Sequence, residues 1–226
     1  MQPWEKLGTA QAPDGTVLEL RRRGAEYRLW AGGAELMSNE DESSSRALAE
    51  LGCAHLAGAT QGRVLVGGLG MGYTLRAALD CTGPGVAVEI AELVPAVVEW
   101  NRGVLAELAG RPLDDARTEL VVGDVREHIG AARGRYDAIL LDVDNGPSAH
   151  AHASNDGLYS RRGAARAFRA LRPGGILGVW SISDDPRFTE RLEREGFSVE
   201  VRKVEGSRKG RGRFHVIWLA RRPGRS

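Results

Sequence analysis

The sequence has few cysteines, only two among its 226 residues. Cys53 and Cys81 lie far apart in the chain, which favours neither a disulfide scaffold nor a cysteine-rich metal cluster. We therefore predict no metal site, and we expect both side chains to be small buried thiols.

Long apolar runs and an excess of charge of one sign are also missing. No segment approaches the roughly 18 apolar residues that a membrane-spanning helix needs, and the first residues lack the basic-then-apolar layout of a secretory leader. The 31 Lys and Arg residues nearly balance the 30 Asp and Glu residues, which gives a net charge of +1. This balance provides no overall field for nucleic acid or an anionic membrane. We predict a cytoplasmic protein that recognises a small molecule locally.

A glycine-rich turn directly follows a predicted buried strand. The apolar stretch 64–66 precedes Gly68, Gly70 and Gly72, and residues 73–79 have a helical pattern. Glycines let the backbone approach a ligand closely, and the amides at a helix N-terminus favour negatively polarised groups. The pattern therefore indicates a nucleotide-type site. A structural turn that merely needs glycine is an equally good explanation when the motif is taken alone.

Acidic residues near the ends of the next three predicted strands strengthen the first interpretation. Glu89, Asp124 and Asp142 each follow or end a short apolar run. In an open parallel sheet the ligand lies across the carboxyl ends of the strands, so we expect these acids to converge on the glycine turn, together with the neighbours Ile90 and Val125. The alternative is that the acids only cap strand ends or the helices that follow.

The order of the predicted elements indicates an α/β fold. Residues 1–46 have a hairpin pattern and predict a small N-terminal β-rich segment, whereas 47–226 alternate strands and helices. This alternation is typical of a doubly wound, Rossmann-like sheet, and a closing pair of strands would supply its antiparallel edge. The apolar spacing within 91–108 predicts one long helix there.

Several motifs make the chain resemble the spermidine synthase family of the class I AdoMet-dependent methyltransferase superfamily. The sequence VLVGGLGMGYTLR at 64–76 is similar to the family's VLVIGGGDGGTLR. Further similarities are found at Val88–Ile90 (family VEID), Gly123–Asp124 (family GDA), Tyr136–Asp142 (family YDVIxxD), Leu158–Ser160 and Leu171–Gly175.

The resemblance implies a Rossmann-like domain preceded by a small β-domain, and a homodimer. It also implies that S-adenosyl-L-methionine or its decarboxylated form is the donor. Glu89 would bind the ribose, Asp124 the adenine amino group, and the glycine loop with Met71 the sulfonium tail.

Departures from the family pattern bear on the reaction. The glycine-loop aspartate that pairs with the aminopropyl ammonium is replaced by Met71, and the family's Tyr-His-Glu stretch is missing after Asp41-Glu42. We therefore expect methyl transfer to a small amine or related nucleophile. Aminopropyl transfer to a polyamine, and a nucleoside-binding protein without catalysis, remain alternatives.

The loop after the last acidic strand end supplies the candidate catalytic and acceptor residues. Asp142 or Asp144 would take the proton of an amine or stabilise the cationic product. Asn145, His150 and Tyr159 are predicted to contact the acceptor. His150 has an equally good explanation as a solvated loop residue, and Tyr159 as a packing residue.

Overall fold

The computed structural model describes residues 2–143, 146–147, 156–206 and 214–224. An antiparallel four-stranded sheet comes first, in the spatial order β1-β2-β3-β4. Its strands are β1 (Glu5–Gln11), β2 (Val17–Arg23), β3 (Glu26–Ala31) and β4 (Ala34–Ser38). Short turns join its strands, as the hairpin pattern predicted.

A larger seven-stranded sheet forms the centre of the molecule. Its strands are β5 (Gly62–Gly67), β6 (Val86–Glu92), β7 (Thr118–Val122), β8 (Tyr136–Leu141), β9 (Leu171–Ser181), β10 (Ser198–Glu205) and β11 (Phe214–Arg221). They are arranged in the order β10-β11-β9-β8-β5-β6-β7. The strands β5 to β9 are parallel, and β11 and β10 add the antiparallel edge. The Rossmann-like fold with this edge is confirmed.

Helices cover both faces of the central sheet. They are α1 (Ser43–Cys53), α2 (Tyr73–Cys81), α3 (Pro95–Arg102), α4 (Val125–Ala131), α5 (Asp156–Tyr159), α6 (Arg161–Ala170) and α7 (Pro186–Arg194). One apolar core joins α1, α2 and α3 with the small sheet, and a second core joins α4 to α7 with the opposite face. The chain order reverses between β5 and β8, which is the switch point where ligands bind in such sheets.

The single long helix predicted for 91–108 is wrong. Residues 91–92 still belong to β6, and α3 begins only at Pro95, whose fixed φ and missing N–H suit the first position of a helix. The helix ends at Arg102 with Gly103 as its C-cap, and turns continue to residue 110. Leu105 is buried nonetheless. The apolar spacing in this segment reflects the burial of these side chains, and burial does not require one continuous helix.

The small sheet packs directly on the central domain. Leu18, Leu20 and Leu29 are buried in the same core as α2 and α3. Gly8 lies so close to Trp100 that an added Cβ would be 2.6 Å from the indole nitrogen. The division predicted between residues 46 and 47 falls inside α1, and it stays a prediction.

Candidate active site

A cleft of about 360 Å³ lies between the small sheet and the carboxyl ends of β5, β6 and β8. The small sheet and the start of α1 supply one wall, and the glycine turn and the strand ends supply the other. The residues used below that line it are Asp14, Glu35, Met37, Asp41, Ser45, Gly68, Leu69, Gly70, Tyr73, Thr74, Glu92, Asp124, Val125, Arg126, Asp142, Trp180 and His215. The switch point of the sheet opens into this cleft.

The glycine turn has the backbone shape that the sequence predicted. Gly68 and Gly70 have φ values of +87° and +52°, in the region that side-chain-bearing residues rarely adopt. A Cβ on Gly68 would lie 2.6 Å from the backbone oxygen of Asp142, and one on Gly70 would lie 2.9 Å from the sulfur of Met37. Glycine is required here by both conformation and space. Without side chains, the turn can lie close to Asp142 after β8 and to Met37 of the small sheet.

The acid at the cleft end of β6 is Glu92, and the prediction that Glu89 lies there is wrong. β6 continues to residue 92, which places Glu89 three residues back inside the strand. Glu92 lines the cleft, and its Oε2 accepts the Leu69 amide at 2.9 Å while Oε1 accepts the Val94 amide at 2.8 Å. Ile90 is fully buried in the core and does not line the cleft either.

Glu89 belongs to a buried polar cluster on the α4 side of the sheet. The residue is 2% exposed. Arg135 Nη2 and the Tyr136 hydroxyl donate to its carboxylate at 2.7 and 2.9 Å, and Arg63 Nη1 lies at 3.3 Å. The nearest nitrogen of His128 is 3.6 Å away. These partners neutralise a carboxylate that would otherwise be costly to bury.

Two other residues of the predicted donor site also face away from the cleft. Met71 is fully buried in the apolar core. Gly72 has a φ of +87° and forms the N-cap position of α2, where an added Cβ would meet Ala109, Asn101 and Pro112 at 3.2 Å. Neither lines the cleft. The cleft side of the turn is formed by Gly68, Leu69 and Gly70.

Asp124 and Val125 lie in the cleft wall, as predicted. Asp124 caps α4, where its Oδ1 accepts the Arg126 amide at 2.8 Å and Oδ2 accepts Arg126 Nε at 2.8 Å. Burial alone would raise the pKa of Asp124, but the hydrogen bonds from Arg126 outweigh it and hold that pKa below its ordinary value. This acid is therefore ionised at neutral pH and lies in the cleft as well as capping a helix.

Asp142 lies directly after β8 and faces the cleft. Its Oδ2 accepts hydrogen bonds from Thr74 Oγ1 at the start of α2 and from Ser45 Oγ near the start of α1, the latter at 3.2 Å. Burial raises the pKa of the Asp142 carboxyl, although these hydrogen bonds and the charge of His215 act in the opposite direction. A carboxylate with a raised pKa and fixed orientation is suited to proton transfer.

Tyr159, the one predicted acceptor residue that the structure describes, is not brought into the cleft. Tyr159 is 6% exposed, its hydroxyl donates to the Val143 backbone oxygen at 3.1 Å, and its ring packs edge-on against Phe188. It contacts the backbone of Val143 directly after Asp142 and does not line the cleft. Asp144, Asn145 and His150 lie outside the described residues.

Several cleft residues were missed by the sequence analysis. Ser45, Met37, Trp180 and His215 come from elements distant in sequence, and the rings of Trp180 and His215 are in contact, with centroids 4.9 Å apart and planes tilted by 56°. Tyr73 at the start of α2 also lines the cleft, and burial together with nearby Glu42 raises its pKa to about 12. Only Tyr73, which follows the glycine turn, carried a local signal that pointed to this site.

Carboxylates outnumber basic groups among the described residues that line the cleft. Among the described lining residues, the ionisable basic groups are Arg126 and His215. The acidic ones are Asp14, Glu35, Asp41, Glu92, Asp124 and Asp142. Asp124 pairs with Arg126, and Glu35 pairs with Arg28 at 2.5 Å. Acidic residues therefore outnumber basic ones in the described part of the lining, and such a composition favours a cationic ligand.

The described residues hold no cluster of three or more His, Cys, Asp or Glu side chains arranged for a metal ion. None of the helices in the described part of the chain has the length and apolar character needed to cross a membrane.

Comparison with known proteins identifies the family. The spermine/spermidine synthase domain matches residues 50–194. A polyamine aminopropyltransferase of Mycobacterium tuberculosis (strain ATCC 25618 / H37Rv) is 31% identical over 162 residues, which cover 70% of this chain and 29% of that protein. Polyamine aminopropyltransferase 2 of Pseudomonas aeruginosa is 34% identical over 130 residues, covering 54% and 35%. The chain thus spans about a third of the length of the curated relatives it matches.

Solved structures agree in fold. A spermidine synthase in complex with the transition state analogue AdoDATO has a TM-score of 0.73 at 18% identity, over 95% of this chain and 72% of that one. The spermidine synthase from Thermotoga maritima has a TM-score of 0.71 at 19% identity, with the same coverage. At these identities the likeness concerns the fold alone. The match over residues 50–194 shows that this chain belongs to the spermine/spermidine synthase family.

Proposed function

We propose that this protein transfers an aminopropyl group from decarboxylated S-adenosylmethionine to an amine acceptor. The observation that carries the proposal is the acidic lining of the cleft at the switch point of the sheet. The curated relatives, which are named polyamine aminopropyltransferases, support the same reaction class. Methyl transfer, expected from the sequence, is not supported by the comparisons.

The charge of the cleft distinguishes the two donors. S-adenosylmethionine carries a sulfonium, an ammonium and a carboxylate, whereas its decarboxylated form carries the two cations alone. A lining dominated by carboxylates attracts the doubly cationic donor and a polyammonium acceptor, and it repels the extra carboxylate. Met71 supplies no negative charge, so carboxylates of the cleft lining would pair with the aminopropyl ammonium of the donor.

The positions of the cleft residues suggest one orientation for a bound nucleoside, with separate contacts for its ribose, its sulfonium and its base. The carboxylate of Glu92, fixed by the amides of Leu69 and Val94, would accept the ribose hydroxyls. The backbone of Gly68 and Gly70 leaves room for close approach of the sulfonium side. Asp124 and Val125 would then contact the base.

Asp142 is the proposed general base. The donor supplies an electrophilic carbon beside its sulfonium, so the acceptor nitrogen forms a C–N bond as the C–S bond breaks and methylthioadenosine leaves. The protein has to place the amine and remove its proton. Ser45 and Thr74 hold the Asp142 carboxylate toward the cleft, where it can take that proton. A homodimer stays a prediction.

Donor binding and product analysis test the proposal. Calorimetry with both donors should show tighter binding of decarboxylated S-adenosylmethionine. Incubation with putrescine, spermidine and related amines should release methylthioadenosine in step with loss of the acceptor. Release of S-adenosylhomocysteine, with preference for S-adenosylmethionine, would instead establish methyl transfer. Donor binding without either product across the panel would indicate a nucleoside-binding protein without catalysis.

A further inference from the structure

The two cysteines, far apart in sequence, meet in the fold. Cys53 is the last residue of α1 and Cys81 is the last residue of α2. These helices pack side by side, so the two thiols lie near each other, and each affects the pKa of the other. The Cys81 sulfur also lies 3.6 Å from the backbone oxygen of Ala49, one turn before Cys53 on α1. From the sequence we expected two small buried thiols; in the structure Cys53 is buried, Cys81 is partly exposed, and the two lie near each other.

The two thiols differ in exposure and acidity. Cys53 is fully buried, whereas Cys81 is partly exposed. The interaction with the Cys53 thiol lowers the pKa of Cys81, although burial and the charges of Glu50 and Asp80 oppose this effect. The same contact and burial raise the pKa of Cys53 well above its usual range. Because the thiolate is the reactive form, Cys81 is the thiol that meets an oxidant first.

We propose that Cys53 and Cys81 form a reversible intramolecular disulfide when the protein meets a peroxide. The Cys81 thiolate attacks one peroxide oxygen, the O–O bond breaks, and the departing oxygen leaves as water after protonation, which gives a sulfenic acid. The Cys53 sulfur then attacks the Cys81 sulfur, the S–O bond breaks, and a second water leaves. Two thiols and one hydrogen peroxide thus yield one disulfide and two waters, and a dithiol reductant reverses the bond.

The bridge would join the helices that hold the proposed base. Ser45 near the start of α1 and Thr74 near the start of α2 both donate to Asp142, while the cysteines lie at the opposite ends of the same helices. The closed ring would contain β5 and the glycine turn. Oxidation should therefore restrain the unfolded chain across this region and raise the unfolding temperature. This inference does not depend on the proposed reaction.

Mass spectrometry on the full-length chain tests the disulfide directly. The protein is treated with hydrogen peroxide, denatured and alkylated without reductant, and its intact mass and proteolytic peptides are compared with those of the untreated chain. We expect loss of two hydrogen atoms, no alkylation of either cysteine, and a linked peptide pair containing Cys53 and Cys81. A dithiol should restore both alkylation sites, and the oxidised form should unfold at a higher temperature.

Two variants keep the test informative. Cys81→Ser should leave Cys53 alkylatable after the same treatment, and Cys53→Ala should leave Cys81 as an oxyacid without an intramolecular bridge. Neither should show the rise in unfolding temperature on oxidation. The proposal is overturned if both thiols of the unaltered chain remain alkylatable, if they gain oxygen without linking, or if the bridge forms only between two chains. All these readouts are independent of donor or acceptor, so a failed activity assay leaves them interpretable.

Discussion

The Glu92 carboxylate accepts a hydrogen bond from the Leu69 amide at 2.9 Å, which ties the end of β6 to the glycine turn. Its other oxygen accepts the Val94 amide at 2.8 Å. Two hydrogen bonds to the backbone fix the carboxylate before any ligand arrives, so little ordering is needed when a ribose binds. The position of this acid, and not that of Glu89, defines where the nucleoside would lie.

Glu92→Gln should weaken nucleoside binding. The amide keeps one acceptor oxygen but loses the charge, and a hydrogen bond to a charged group contributes about 1.5–3 kcal/mol. We expect about 10- to 100-fold weaker binding of methylthioadenosine by calorimetry. Unchanged affinity would show that Glu92 does not contact the sugar.

Glu89→Gln is the matched control, because the same chemical change occurs three residues earlier in the same strand. Glu89 bonds to Arg135 and Tyr136 and does not line the cleft. The variant should lose about 1–3 kcal/mol of stability, since a buried charge-assisted network is weakened. Its affinity for methylthioadenosine should stay unchanged. A large loss of methylthioadenosine affinity in a variant that is still folded would show that Glu89 binds the ribose.

Asp142→Asn should abolish most of the turnover while sparing donor binding. Removal of a general base costs about 10²- to 10⁴-fold in rate. Product release measured at saturating donor and acceptor gives the loss in kcat, and calorimetry gives the donor affinity. Turnover at the level of the unaltered protein would exclude Asp142 as the base.

The Asp142→Asn variant should be more stable than the unaltered protein at neutral pH. The folded-state pKa of Asp142 is raised above its ordinary value of 3.8, so the folded state favours the protonated acid. That contribution to stability is complete below the ordinary pKa and is lost as pH rises through the folded pKa. Thermal unfolding is measured from pH 4 to pH 8 in steps of about one pH unit. The difference in unfolding temperature between Asp142→Asn and the unaltered protein should grow with pH. An advantage that shrinks with pH would contradict the raised pKa.

Thr74→Val and Ser45→Ala should move the acid limb of the kcat profile to higher pH. Both hydroxyls stabilise the ionised form of Asp142, so their loss raises the pKa of this carboxyl further. The limb should move most in the double variant, and Thr74→Ser, which keeps a hydroxyl, should restore the original profile. A uniform fall in kcat at every pH would indicate damage to packing in place of a change in titration.

The order of elements and the cleft edge of the sheet could be predicted from the sequence, because strand and helix periods and the glycine turn are local signals. The exact end of β6 could not be predicted from the sequence. Glu89 and Glu92 both lie in the run VAVEIAE, and only the pairing of Glu92 with Val122 of β7 shows that the strand continues. Ser45, Trp180 and His215 reach the cleft through tertiary packing of distant elements, which no local pattern encodes.

Gly68→Ala should damage the site more than a backbone-matched glycine substitution elsewhere. Gly68 and Gly174 have nearly the same φ, +87° and +85°, but an added Cβ at Gly68 would lie 2.6 Å from the Asp142 backbone oxygen, whereas one at Gly174 would meet nothing within 4 Å. The strained conformation alone costs about 1–2 kcal/mol at either position. The close contact should add about 1–3 kcal/mol at Gly68. Chemical denaturation of both variants measures the difference, and calorimetry should show weaker nucleoside binding for Gly68→Ala only. Equal losses of stability, with donor affinity retained in both, would mean that the approach of the turn to Asp142 does not shape the cleft.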